Sequence, residues 1–288
     1  MRRSKLALIT IQIAVLALIS VAFSPSSNAA SAPLAKKYLW QVEFNGKAGQ
    51  TPPSKFFKYN TGGGGWGNSE EQFYVNTRKT SATDGKGKMV FTATKISYDS
   101  PSSDKYFPYK YKSARIYTQG KISFKYGRME ARMKLPAGVG TWPAFWMLGT
   151  DIGSNTWPDC GEIDIMEARG SLPNTTFGTI HGPGYSGGGG ISNGLTLQTP
   201  LTEDYHVYAI NWKPDSIEWY IDDQLYHSIT KDQVAYDWVF NKRFFLILNL
   251  AMGGLFTGEI DPSIQETKMY IDWIRYSKFD GWGKVYYK

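Results

Sequence analysis

Short runs of alternating or β-branched residues follow one another along nearly the whole chain, with almost no helical period between them. KMVFTATKI (88–96), ARIYTQGKISF (114–124), GRMEARMKL (127–135) and TWPAFWML (141–148) come in close succession. EIDIMEA (162–168), TTFGTIHG (175–182), DYHVYAINWK (204–213), SIEWYIDDQLYHSI (216–229), FFLILNLAM (244–252) and KMYIDWIRYSKF (268–279) follow. Gly, Pro, Asn and Asp punctuate these runs, and only TKDQVAYDWVF (230–240) could hold a short helical turn. Such a series predicts an all-β fold, an antiparallel β-sandwich rather than a parallel sheet. A single cysteine, Cys160, excludes an intramolecular disulfide, so the core alone must hold the fold. Cys160 itself suits a small buried residue without redox duty.

The first 32 residues differ from the rest. MRRSK carries three positive charges, Leu6 to Phe23 is apolar apart from Thr10, Gln12 and Ser20, and SPSSNAASA supplies small residues. That layout predicts a signal peptide over 1–32, cleaved between Ala29 and Ala32, and a single domain over 33–288. An uncleaved anchor is the other use of such a run, but no cationic stop flank follows it. The mature chain is therefore expected to be secreted and free of the membrane. Removing Arg2, Arg3 and Lys5 from the net charge of +7 leaves +4, with no basic run longer than two, which argues against nucleic acid. Aromatic residues make up 15% of the chain beside 30 glycines, a composition suited to handling flat sugar rings. GGGG at 62–65 and again at 187–190 serves either loop flexibility or close backbone approach to a ligand.

One run breaks its own alternation. In GEIDIMEARG (161–170), Glu162 and Asp164 share a face, Ile163 and Ile165 take the other, and Met166 falls where the next acid belongs. A β-bulge at Met166 would absorb one residue and return Glu167 to the face of the first two acids. Neighbouring carboxylates raise one another's pKa, which a purely structural strand avoids. Acetal hydrolysis needs that arrangement, with one carboxylate ionised and another protonated. The outer backbones stand ~13 Å apart. Inward-leaning glutamates could close to the ~5–5.5 Å of a retaining mechanism or the ~6.5–9.5 Å of an inverting one. A Ca²⁺ cage is the competing use of such oxygens, but the intervening positions are all hydrophobic. In TWPAFWML, Trp142, Ala144 and Trp146 share a face, with Phe145 and Leu148 on or near the other. Two indoles around a small residue suit a stacking floor, and they also suit an ordinary core.

These motifs resemble glycoside hydrolase family 16, the laminarinase and lichenase group. EIDIME carries the resemblance with GWGNSEEQFY (65–74), SARIYTQGKISFKYGRMEARMKLP (113–136), GTWPAFWMLG (140–149), GTIHGPGYSGGGG (178–190), LILNLAMGG (246–254) and YIDWIRY (270–276). It runs in the expected order from about Tyr38 onward. The resemblance implies a curved, concanavalin-A-like jelly roll with a substrate cleft on its concave sheet. It implies Glu162 as nucleophile, Glu167 as general acid and then base, and Asp164 as assisting carboxylate. Trp142 and Trp146 would line the cleft, Arg115 would contact sugar hydroxyls on the nonreducing side, Asn68 a more distal sugar, and His181 would stand near the acid/base. Asn249 would either contact substrate or only hydrogen-bond the sheet.

The interval of five from Glu162 to Glu167 is similar to that of laminarinases, whereas lichenases usually show four. The implied activity is endo-acting, retaining hydrolysis of a β-1,3-glucan such as laminarin or curdlan. Mixed-linkage glucan, agarose and carrageenan are the alternative polymers, and the three acids argue against a non-catalytic glucan-binding protein. No cofactor is expected for catalysis, and a monomer suffices. A structural Ca²⁺ is implied on the convex side, with Glu43, Asp272 and Gly85 (or Gly87 in DGKGK) contributing; the alternative is that these are ordinary surface acids. SYDSPSSDKYFPYKYKSAR (97–115) is expected to be a variable loop at the cleft rim, and no carbohydrate-binding module is expected after Lys288.

Overall fold

The computed structural model describes residues 37–98 and 105–288. The expected leader lies outside them, as does part of the expected rim loop. The strands in chain order are β1 (Tyr38–Glu43), β2 (Lys58–Tyr59), β3 (Gln72–Tyr74), β4 (Ser81–Thr83), β5 (Met89–Lys95), β6 (Tyr111–Ser113), β7 (Arg115–Tyr117), β8 (Ile122–Lys125) and β9 (Gly127–Lys134). They continue as β10 (Thr141–Gly149), β11 (Glu162–Ala168), β12 (Thr175–His181), β13 (Ile191–Thr196), β14 (His206–Trp212), β15 (Ser216–Ile221), β16 (Gln224–Thr230), β17 (Phe244–Met252), β18 (Glu266–Ser277) and β19 (Lys284–Tyr287). Each alternating run of the sequence lies on one of these strands or on a hairpin of two. The expected helical turn is a 3₁₀ turn at Lys231–Gln233, closed by reciprocal bonds between Thr230 and Gln233.

Two sheets result. One runs β16-β15-β14-β9-β18-β5-β6-β3, with β1 on β18 and β4 on β5. The other runs β13-β12-β11-β10-β17-β7-β2, with β8 on β17 and β19 on β8. The pairings are antiparallel with one exception among the described residues: β3 and β6 run parallel, because a crossover through β4 and β5 returns the chain in the same direction.

The core lies between the sheets. Phe145 and Met147 of β10 and Phe244, Leu246, Leu248 and Leu250 of β17 meet Met129 and Met133 of β9 and Ile210 and Trp212 of β14. Each fully buried side chain of this size contributes roughly 1.5–3 kcal/mol of transfer free energy. The two-residue period of β10 and β17 then presents Trp142, Ala144, Trp146, Leu148, Phe245, Ile247 and Asn249 on the opposite face of the second sheet. Leu148 therefore sides with Trp146 and not with Phe145, joining Cys160, Phe245 and Ile247 in a small separate apolar cluster. Cys160 is buried as a free thiol, and the acids stand on this same outer face.

Candidate active site

The broken alternation of β11 is a bulge. Against β10, Glu162 faces Leu148, Asp164 faces Trp146, Met166 faces Phe145 and Glu167 faces Ala144, so Ile165 has no counterpart. Against β12, Asp164 pairs with Thr179 and Glu167 with Phe177, leaving Ile165 and Met166 together opposite Gly178. The extra residue is thus shared between Ile165 and Met166, and both are fully buried in the main core. Burying two successive apolar side chains turns Glu167 onto the face of Glu162 and Asp164.

A second residue pair supports the bulge from across the core. Trp219 of β15, in the opposite sheet, donates its indole N–H to the carbonyl of Asp164 at 2.7 Å. Gly178 makes room for that ring, since a Cβ there would lie 2.3 Å from Trp219 Cδ1. Neither residue was anticipated from sequence; a glycine inside a strand pattern was the one available signal.

Indole N–H groups meet both glutamates. Trp142 Nε1 donates to Glu167 Oε1 at 2.9 Å, and Trp157 Nε1 donates to Glu162 Oε2 at 2.5 Å. Trp142 is 8% exposed and packs against Phe256, with centroids 4.9 Å apart, so it orients Glu167 more than it offers an open stacking floor. Trp146 Nε1 donates to Asn249 Oδ1 at 2.7 Å, and Asn249 Nδ2 donates to the Tyr74 hydroxyl at 3.2 Å. Of the two uses expected for Asn249, the hydrogen bonds fit a residue that fixes Trp146. His181, paired with Glu162 across the ladder, brings Nε2 to 3.2 Å from Asp164 Oδ2.

Arg115 lies with its guanidinium between two indoles, 4.6 Å from the Trp66 ring and 4.9 Å from the Trp146 ring. Burial lowers its pKa, and the nearby Tyr74, Glu70 and Glu162 work the other way. The side chain of Asn68 turns to Glu70, which also accepts from Gln72 and Tyr74. Asn68 therefore reaches the site through a buried polar chain. Trp66, Glu70, Gln72, Tyr74 and Trp157 belong to the site without having been expected there. The glycine runs make close approaches to the protein itself. A Cβ on Gly63 would overlap the Tyr109 ring, and one on Gly190 would lie 2.3 Å from His181 Cε1.

Burial raises all three carboxyl groups. Asp164 is 3% exposed, while Glu162 and Glu167 keep an open edge. Glu167 is pushed up to about 7, first by burial, with the Trp142 N–H drawing it down. Glu162 rises to about 8, first by burial and then by the charge of Asp164, against the opposing pull of His181 and the Trp157 N–H. Asp164 stands well above the ordinary aspartate range, by burial and then the charge of Glu167.

The carboxylates expected to hold Ca²⁺ are paired with cationic side chains. Asp272 already pairs with Lys88 Nζ at 2.9 Å and Arg132 Nη1 at 2.6 Å, and Glu43 pairs with Arg275 Nε at 2.9 Å. Gly85 packs against Ala48. Cationic side chains thus already meet the carboxylates of Glu43 and Asp272, and a Ca²⁺ ion held by Glu43, Asp272 and Gly85 would have to displace these pairs.

Comparison with known proteins shows the family. Residues 68–275 match the profile of Glycosyl hydrolases family 16. The beta-glucanase of Rhodothermus marinus is 38% identical over 248 residues, 82% of this chain and 83% of that protein. The laminarinase catalytic domain from Thermotoga maritima MSB8 superposes with a TM-score of 0.78 at 42% identity, covering 85% of this chain and 99% of that one. The endo-beta-1,3-glucanase from Pyrococcus furiosus gives 0.78 at 41% identity, covering 85% and 95%.

Proposed function

We propose, from a chain that belongs to the family 16 glycosyl hydrolases, that this protein is an endo-acting, retaining hydrolase of β-1,3-glucan. One observation carries the reading: the bulge at Ile165–Met166 sets Glu162, Asp164 and Glu167 side by side on one face of the sheet. Relatives named for laminarinase and endo-β-1,3-glucanase activity support the substrate.

Glu167, with its pKa near 7, keeps a proton in mildly acidic solution and gives it to the glycosidic oxygen as that carbon–oxygen bond breaks. The Glu162 carboxylate forms an ester bond to the same anomeric carbon. Glu167, now ionised, takes a proton from water while the water oxygen attacks that carbon and the ester bond breaks, restoring Glu162. Two displacements retain the β configuration. A nucleophile must be ionised, yet Glu162 is raised to about 8. Asp164 is itself raised, and the hydrogen bond it shares with Glu162 lifts Glu162 and lowers Asp164, so the mechanism requires this proton to pass to Asp164 as the ester bond forms. These carboxyl groups account for every proton and bond in the cycle, and all come from one chain, so a monomer suffices. The apolar leader supports export to where such polysaccharides occur.

Reducing-end release from laminarin, curdlan, lichenan, agarose and carrageenan tests the reading. The expected result is fastest release from laminarin, with oligosaccharides of several lengths appearing at once. Release from agarose or carrageenan with none from laminarin would overturn it.

A further inference from the structure

We propose that Trp157, in the loop ahead of β11, is a positioning residue for the Glu162 nucleophile, its indole N–H fixing the orientation of the attacking carboxylate. This inference rests on the function proposed above and adds a residue that neither alternation nor the family resemblance singled out.

Three observations carry it. The loop is pinned at both ends: Lys242 Nζ bonds Asp151 Oδ2 at 2.8 Å and the Asp159 carbonyl at 3.1 Å, and Asn155 Nδ2 donates to that carbonyl at 2.9 Å. Gly161, at φ +73°, closes the loop onto β11, where a Cβ would lie 2.9 Å from Val239 Cγ2. The Trp157 N–H is thus delivered from a preorganised turn. Second, the ring is 44% exposed and stands 6.2 Å from the His181 ring, so holding Glu162 and packing the core are separate in this residue. Third, Trp142 makes the matching bond to Glu167 from beneath Phe256, so each glutamate has its own indole donor.

The charged and titratable groups around Glu162 are Asp164 and Glu167 on its own strand, Cys160 just before it, His181 on β12 and Arg115 on β7. Asp164 and Glu167 oppose ionisation of Glu162, and His181 and Arg115 favour it. Trp157 adds a directional donor that bonds one oxygen and leaves the other for the anomeric carbon. A neutral N–H to a carboxylate is strongest when the carboxylate is charged.

The test is Trp157→Phe, which keeps an aromatic ring and removes the donor. Rates are measured across pH on laminarin and on an aryl laminarioside whose leaving group departs without a proton. The expected result is a kcat lower by roughly tenfold. The acid limb of kcat/KM should move up by about one pH unit, and the loss should persist on the aryl substrate because it arises on the nucleophile side. The melting temperature should hold, since the ring is exposed. An unchanged kcat and acid limb, or a rise in KM alone, would overturn the positioning role while wild-type turnover of laminarin leaves the proposed function standing. A wild-type chain inactive on laminarin would instead remove the function on which the inference rests.

Discussion

Replacing Glu167 by glutamine should stabilise the protein at neutral pH and not at pH 4. The unfolded chain releases this proton near 4.5, whereas the folded protein holds it up to about 7. Below 4.5 both states are protonated and the carboxyl costs nothing extra. As pH rises toward 7 the unfolded state ionises while the folded state does not, so folding free energy is progressively lost. The interval from 4.5 to about 7 corresponds to at most about 3 kcal/mol, less whatever the open edge of the side chain returns to water. Glutamine keeps an oxygen for the Trp142 N–H and never ionises. For a domain of this size the gain is roughly 5–10 °C at pH 8, shrinking to near zero at pH 4. Thermal melts of both proteins at unit steps from pH 4 to 8 measure it, and activity should fall by roughly 10²–10⁴ as the proposed general acid is lost. A melting difference that stays constant across pH, or grows toward acid, would refute the claim that burial holds the Glu167 proton.

Gly178→Ala drives a methyl into the Trp219 indole and strains its bond to the Asp164 carbonyl. Overpacking of this kind costs roughly 1–3 kcal/mol. Both melting temperature and kcat should fall, and unchanged values for both would show that the indole does not support the bulge. Millimolar Ca²⁺ or a chelator should shift the melting temperature by less than about 2 °C, because Lys88, Arg132 and Arg275 already neutralise Asp272 and Glu43. A rise of many degrees with Ca²⁺ would show that the ion displaces these pairs.

The sandwich was legible because long strands with one face in the core alternate, as β9 and β18 do, while β10 and β17 read as apolar runs bounded by turn residues. β2, β3, β4 and β6 span two or three residues each, too short for a period to register. β13 is solvent-facing over most of its length, with only Ile191 and Leu195 against the core. The bulge was legible because Ile165 and Met166 form an apolar doublet between acids, a break in parity with one economical resolution. What holds it was not, since Trp219 lies in another sheet more than fifty residues away. The ion pairs of Glu43 and Asp272 were hidden for a related reason. A strand pattern shows that a carboxylate faces outward, and only cross-strand register reveals that Lys88, Arg132 and Arg275 meet it. Trp157 sits in a loop, where no periodicity marks which side chain turns back to the sheet.

The proposed mechanism rests on Glu162 as the nucleophile and Glu167 as its proton-transfer partner on the same face. Incubation with a 2-deoxy-2-fluoro laminaribiosyl fluoride, followed by peptide mass spectrometry, tests that pairing directly. The expected product is one covalent sugar per chain, on the peptide containing Glu162 and specifically on that residue, absent from a Glu162→Gln variant. A label on Glu167, or inactivation with no label on β11, would contradict the mechanism.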